Sequence, residues 1–300
     1  MSVICSASDF LYIFANCGAV WYHIINQNIM KIGVDLGGTN IRAGLVSGSE
    51  IIRKVKTVCP AKGSCEEVIE AISGLIEELL NEEVDSIGIG VPSVVDTRRG
   101  IVYNVANIPS WVEVHLKDML EERFRIPVHI NNDSNCFTLG ESRFGKGKGY
   151  SDMVGVTLGT GVGSGIIIGG RLYEGRNAGA GEIGCLNYLD KDYESYCSTP
   201  FFVSHGTSGA ELAARAEAGE PDAIDMWNEF GGHLGELVKA ILFAYDPEAI
   251  VFGGGIAAGH KYFEAAMHER IMTFPYETGK DVRILFSEDE DMAIYGASAL

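Results

Sequence analysis

Two stretches of one design, far apart in the chain, constrain its fold more than any other feature. Ile32 to Leu45 reads Ile-Gly-Val-Asp-Leu-Gly-Gly-Thr-Asn-Ile-Arg-Ala-Gly-Leu. Ile32, Val34 and Leu36 alternate with Gly33, Asp35 and Gly37, the period of a strand. Gly37-Gly38-Thr39-Asn40 is turn chemistry, with glycines free to take φ > 0 where a hairpin reverses. Val154 to Ile168, Val-Gly-Val-Thr-Leu-Gly-Thr-Gly-Val-Gly-Ser-Gly-Ile-Ile-Ile, repeats the plan of strand, Gly/Thr turn and strand. Such turns bring backbone N–H groups and a Thr hydroxyl close to an anion. A carboxylate at Asp35 is suited to hold hydrated Mg²⁺ against the same phosphates. An ordinary β-hairpin explains either stretch alone. The repetition points to two half-molecules facing one triphosphate.

Composition narrows the partners. A net charge of −18 with no basic patch opposes a nucleic-acid ligand, whose phosphates are repelled. Apolar content of 46% and charged content of 21% describe a soluble globular chain, and a cytoplasmic location is expected. Cys5, Cys17, Cys59, Cys65, Cys136, Cys185 and Cys197 are odd in number and scattered, without a Cys-x-x-Cys pair. That usage fits reduced thiols better than a disulfide framework or a zinc site.

Residues 1–29 differ from the rest. Phe10 to Ile25 is apolar and aromatic, but it is interrupted by Asn16, Gly18 and His23 and has no preceding Lys or Arg. It lacks a signal-peptide pattern and is too short and polar for a membrane span. The expectation is an extension outside the fold, with Met30-Lys31 opening the first strand. Strands are expected at 51–58, 86–91, 128–130 and 282–286, and helices at 65–80, 112–124, 211–218, 222–245, 261–273 and 292–300. Ser64 and Glu67 have the spacing of a capping box for the first helix. Pro92 to Asp96 and Asn107 to Trp111 read as loops, and Gly169 to Tyr173 as an extended arm. Gly140 to Gly147 approaches a phosphate-binding P-loop, but lacks the Ser/Thr after its lysine and does not follow a strand. Strands alternating with helices imply an α/β fold with a largely parallel sheet and ligands at strand ends.

Placed in order, these pieces resemble the ROK family of sugar kinases, in the actin-like ATPase and hexokinase superfamily, from Met30 to Leu300. Asp35-Leu-Gly-Gly-Thr-Asn-Ile-Arg42 is similar to the family's first phosphate motif, and Leu158-Gly-Thr-Gly-Val-Gly163 to its second. Asn132-Asp133-Ser-Asn-Cys-Phe-Thr-Leu-Gly-Glu141 resembles the segment carrying its catalytic aspartate. Asp246-Pro-Glu-Ala-Ile-Val-Phe-Gly-Gly-Gly255 resembles its adenosine motif.

The resemblance implies a two-domain actin-like ATPase (ribonuclease H-like) fold with the active site in the cleft. The domains are expected at 30–138 and 139–286, with 287–300 packing back on the first. It implies Asp133 as catalytic base, and Asn107, Asn132, Glu182 and Glu194 as sugar contacts. Asp35, Gly37, Gly38, Thr39, Asn40, Gly159, Thr160, Gly161, Gly254 and Gly255 are the implied ATP and phosphate contacts. ATP and Mg²⁺ are the implied cofactors. Zinc is not expected, because Cys185 stands where the family has His, and the stretch to Glu194 is too short for the family's cysteine-rich zinc loop. Glu194-Ser-Tyr-Cys-Ser198 still resembles the segment that follows that loop.

The implied reaction is phosphorylation of a hexose by ATP, first of all glucose at O6, then an N-acetylhexosamine or fructose. Phosphate stabilisation is expected mostly from backbone donors, no lysine being in an obvious position. The expected partner is a small-molecule sugar, with no nucleic acid or membrane, and the family's usual homodimer as the assembly. A family repressor would need a DNA-binding domain before the first hairpin, and residues 1–29 lack the basic face for it. A non-catalytic sugar sensor should lack the base or a phosphate turn, and both are present.

Overall fold

The computed structural model describes residues 29–176 and 178–300. The expectation for residues 1–29 lies, but for the last of them, outside the described residues. Two five-stranded sheets share one plan. In the first, β1 (Met30–Leu36), β2 (Asn40–Ser47) and β3 (Glu50–Val58) form an antiparallel run, and β4 (Val84–Val91) and β8 (Val128–Asn132) extend it in parallel, in the order β3-β2-β1-β4-β8. In the second, β11 (Arg171–Leu172), β10 (Val162–Ile168) and β9 (Met153–Leu158) are antiparallel. There β14 (Ala249–Gly253) and β15 (Arg283–Phe286) continue in parallel, in the order β11-β10-β9-β14-β15. The likeness of the two hairpins therefore extends to whole sheets.

Each half has its own core. Ile32, Val34 and Leu36 of β1 pack with Ile72 and Ile76 of α1 (Cys65–Leu79), and all five are fully buried. The capping box that starts α1 is formed: Glu67 N–H donates to Ser64 Oγ at 3.2 Å, and Ser64 N–H to Glu67 Oε2 at 2.7 Å. In the second half Trp227, Phe230 and Leu234 of α7 (Pro221–Tyr245) pack with Phe201, Phe202 and Phe263. Among the described residues two helices join the halves. Helix α3 (Asp133–Arg143) follows β8 of the first sheet and lies against β9 and β10 of the second. The last helix, α9 (Met292–Ser298), packs on α3, β1 and β4. Glycine makes that seat: a Cβ on Gly33 or Gly88 would run into the Ile294 or Ala297 carbonyl, and one on Gly296 into the Cys136 carbonyl.

Four local expectations are corrected. The helix expected from Val112 begins at Leu116, as α2 (Leu116–Phe124), because Glu113–Val114 pair as β7. β7 completes a small sheet with β5 (Val95–Asp96), where a loop was expected, and β6 (Ile101–Tyr103), and Val95, Val102 and Val114 share the first core with the fully buried Trp111. The arm at 169–173 is the hairpin β10–β11, turning at Gly169 and Gly170 with φ of 57° and 72°. The helix expected at 261–273 divides into a 3₁₀ turn, Ala257–Tyr262, and α8 (Glu264–Ile271).

Candidate active site

The two glycine turns lie where each antiparallel hairpin reverses, at Gly37–Thr39 and Gly159–Gly161. Gly37, Gly38, Gly159 and Gly161 are absent from the positive-φ residues, so these turns do not draw on glycine's freedom at φ > 0. Room is the reason for three of them. A Cβ on Gly37 would lie 2.8 Å from the Asn40 carbonyl, one on Gly38 2.9 Å from Asn107 Cβ, and one on Gly161 against the Glu194 carboxylate. Gly37 N–H bonds the Asn40 carbonyl and Gly159 N–H the Gly161 carbonyl, both at 3.0 Å. The turn donors left for an anion are the N–H groups of Gly38, Thr39, Thr160 and Gly161.

Asp133 opens α3, and Asn132 caps it, its Oδ1 accepting from Ser134 N–H at 2.9 Å and Asn135 N–H at 3.2 Å. Asp133 Oδ1 also accepts from Ser134 N–H, at 2.8 Å. Burial, then the nearby Asp35 charge, push the Asp133 carboxyl up to about 7, against the pull of the Ser134 hydrogen bonds. A carboxylate with that value accepts a proton readily near neutrality.

Two cavities meet at Asp133. One, of about 520 Å³, is lined by Asp35, Arg42, Phe137, Gly254, Gly255 and the acidic run Ser287–Glu290. The other, of about 470 Å³, is lined by Asn132, Gly159, Thr160, Gly161, Glu182 and Glu194, with Ser93, Asn104 and Ala106. Asp133, Ser134, Thr157 and Gly254 line both. Glu182 follows the turn at Gly181, and burial, then the Glu194 charge, raise its carboxyl above the ordinary range. Glu194 is held by Val162 N–H, which donates to it at 3.1 Å, fixing the second turn against α4 (Tyr193–Cys197). Asn107 does not line the second cavity; it lies against Gly38, beside the first turn.

Gly37, Gly38, Thr39 and Asn40 open on a third cavity, of about 670 Å³, which shares Asp35, Arg42 and Glu290 with the first. Lys54 and Lys56 line it too, although neither is in an obvious position from the sequence. Arg42 donates to Asp35 Oδ2 at 2.7 and 3.1 Å, and Lys54 to Asp291 at 2.6 Å. Burial pulls the Arg42 guanidinium down, but Asp35 and Asp291 outweigh it and hold it above its ordinary value. Pairing in the strands carries the signal that was missed. Asp35 pairs Arg42, and Arg42 pairs Lys56, so the three stand in a row across one face.

Among the described residues no group of three or more His, Cys, Asp or Glu could hold a metal ion. Between Cys185 and Glu194 the chain forms a tight hairpin, β12 (Asn187–Tyr188) with β13 (Lys191–Asp192), turned by Leu189 at φ 53°. Tyr188 stacks on Tyr193 at 4.4 Å between ring centroids and bonds His233 Nδ1 at 3.0 Å. Cys185 is exposed, while Cys197 is buried in the second core.

The model of the ROK family matches residues 31–202 and 203–300. The chain is 30% identical to a glucokinase of Thermotoga maritima, over 90% of this chain and 96% of that one. It is 29% identical to an N-acetyl-D-glucosamine kinase of Yersinia pseudotuberculosis, over 78% of this chain and 86% of that one. Among solved structures it is similar to a ROK family glucokinase from Streptomyces griseus in complex with glucose and AMPPNP, with a TM-score of 0.77 and 28% identity, covering 90% of this chain and 98% of that one. It is also similar to a ROK hexokinase from Thermus thermophilus, with a TM-score of 0.78 and 26% identity, covering 90% and 97%. The architecture described above is the two-domain actin-like ATPase fold of those kinases.

Proposed function

We propose, from the premise that this chain belongs to the ROK family, that it transfers the γ-phosphoryl group of ATP to O6 of glucose. It is an ATP-dependent sugar kinase. The observation that carries the assignment of cavities is their meeting at Asp133. ATP lies in the 520 Å³ cavity, its adenosine against Gly254 and Gly255 and its phosphates toward Asp35, Arg42 and the two turns, which line the adjoining cavities. The sugar lies in the 470 Å³ cavity, its hydroxyls on Asn132, Glu182 and Glu194, with Asn107 reaching it only from beside Gly38.

A sugar hydroxyl is a weak nucleophile at neutral pH. Asp133 accepts its proton as the new O–P bond forms and the bond to ADP breaks, and general base catalysis of this kind contributes on the order of 10²–10⁴ in rate. The N–H groups of Gly38, Thr39, Thr160 and Gly161, with Arg42, stabilise the charge that builds on the phosphoryl oxygens. Asp35 suits a hydrated Mg²⁺: both Arg42 contacts fall on Oδ2, so Oδ1 is the oxygen left for it. Mg²⁺ supplies charge neutralisation across the phosphates. Closure of the two halves around the sugar excludes water, the competing acceptor.

The protein works without bound zinc: the hairpin at 187–192 leaves no room for a ligand loop, and Cys197 is turned into the core. Metal analysis of purified protein should find no stoichiometric zinc. One tight zinc per chain, lost on mutating Cys185 and Cys197, would overturn that. The acceptor is tested by coupled ADP release against glucose, fructose and N-acetylhexosamines. Glucose should give the highest kcat/KM; N-acetylglucosamine leading instead would move the reading to the activity of the Yersinia relative, and no ADP release with any of them would sink the kinase assignment.

A further inference from the structure

Glu174 lies in the segment after β11, in the second half of the molecule, yet its carboxylate reaches the end of β8 in the first. Asn131 Nδ2 donates to Glu174 Oε1 at 2.5 Å, and Thr97 Oγ1 stands 3.5 Å from Oε2. Asn131 is buried and its amide is used on both sides. Its Oδ1 accepts from Asn132 N–H at 2.8 Å and from Asn135 Nδ2 at 3.0 Å. Asn132 in turn caps α3 and, through Nδ2, bonds the Ser93 carbonyl at 3.3 Å.

We infer that Glu174 is a positioning residue for phosphoryl transfer, a latch from the second half that fixes Asn131 and thereby the strand end bearing Asn132 and Asp133. This rests on Asp133 being the base. A buried amide donor with a carboxylate acceptor is held in one orientation, because the alternative leaves it without a partner. Were Asn131 released, Asn132 N–H and Asn135 Nδ2 would lose their shared acceptor, and with them the start of α3. The same residue anchors the segment leading to Glu182, since its carbonyl accepts from Ala180 N–H at 3.2 Å. One residue thus reaches the strand end bearing the base through its carboxylate, and the segment of a sugar-binding carboxylate through its backbone carbonyl.

The test uses Glu174→Ala, Glu174→Asp and Glu174→Gln in the full chain. Gln keeps an accepting oxygen at the same reach, whereas Asp keeps the charge but retracts it by one methylene. Kinase activity should fall roughly 10- to 100-fold in kcat/KM for Ala and Asp, the scale of a small misplacement of reacting groups. Gln should stay within about threefold of wild type, because its oxygen still accepts from Asn131. In Ala and Asp the acid limb of the kcat–pH profile should move down as Asp133 is wetted. Amide hydrogen exchange at residues 131–135 reads the latch without any kinase assay, and should speed up in Ala and Asp only. Wild-type rates, limb and exchange in Asp, or Gln impaired with it, would overturn the inference, and that comparison stands even if Ala fails to fold. A wild-type protein that phosphorylates no hexose would count against the proposed function, while the exchange data would still decide the latch.

Discussion

Asp133 sits in a conflict that the protein maintains at its own expense. With the carboxyl pushed up to about 7 from an ordinary value of 3.8, the native state holds a proton between those pH values that the unfolded chain has already released. Stability on this account is full below 3.8 and falls as pH rises through 7, by roughly 4 kcal/mol at most, at about 1.36 kcal/mol per unit. Catalysis runs the other way, since only the ionised form accepts a proton. kcat should rise about tenfold per pH unit on the acid side and level off above about 7, and a pH–rate series that is flat from 5 to 8 would contradict this. Asp133→Asn should therefore lose roughly 10² or more in kcat with KM little changed, yet melt higher than wild type at pH 8 and close to it at pH 4. A variant of near-normal kcat would remove Asp133 from the mechanism. The position of this residue was legible from its motif, after a strand and opening a helix. Its elevated carboxyl was not, because burial and the approach of Asp35 are long-range facts. Lys54 and Lys56 were missed for a related reason: their place beside the turn depends on the pairing of β3 with β2, which a one-residue slip would reverse.

The hairpins and α1 with its capping box were readable because each carries a strict period or a paired signal over many residues. β5, β6 and β7 were not, being two or three residues long, with Val95, Val102 and Val114 buried in the same core as Trp111. The division of 261–273 escaped for lack of any breaker in the sequence at Phe263. Glycines show the same contrast between local and distant causes. Gly74 is exposed within α1 and a Cβ there would meet open space, so Gly74→Ala should stabilise by roughly 0.5–1 kcal/mol through helix propensity alone. Gly296 faces the Cys136 carbonyl and Gly140 N across the α9–α3 contact, where backbone gives way on neither side. Gly296→Ala should destabilise by about 1–3 kcal/mol or more. Denaturant melts of the two variants decide it, and equal midpoints would mean that α9 is not seated as described.

The molecule as a whole repels the nucleotide it uses. Its net charge is −18, and the ATP-side cavity adds Asp35, Asp133, Glu288, Asp289 and Glu290 against Arg42 alone, with Lys54 and Lys56 in the neighbouring cavity. Arg42 and Lys54 are already paired, to Asp35, Asp291 and Glu290, so little of their field is left to draw in a polyanion. Two steering regimes are then distinguishable by salt. If the local cations governed encounter, raising ionic strength would slow MgATP capture, as it does for electrostatically steered ligands. If the overall charge governs, salt relieves repulsion instead. Between about 0.01 M and 0.15 M the Debye length contracts from about 30 Å to about 8 Å, enough to screen most surface carboxylates while leaving contacts inside the cleft intact. The acid count decides for repulsion: kcat/KM for MgATP should rise about two- to fivefold across that range, while kcat/KM for the uncharged sugar stays flat. A fall for MgATP would show that Arg42, Lys54 and Lys56 outweigh the rest of the surface, and a parallel change for both substrates would place the salt effect on domain closure rather than on encounter.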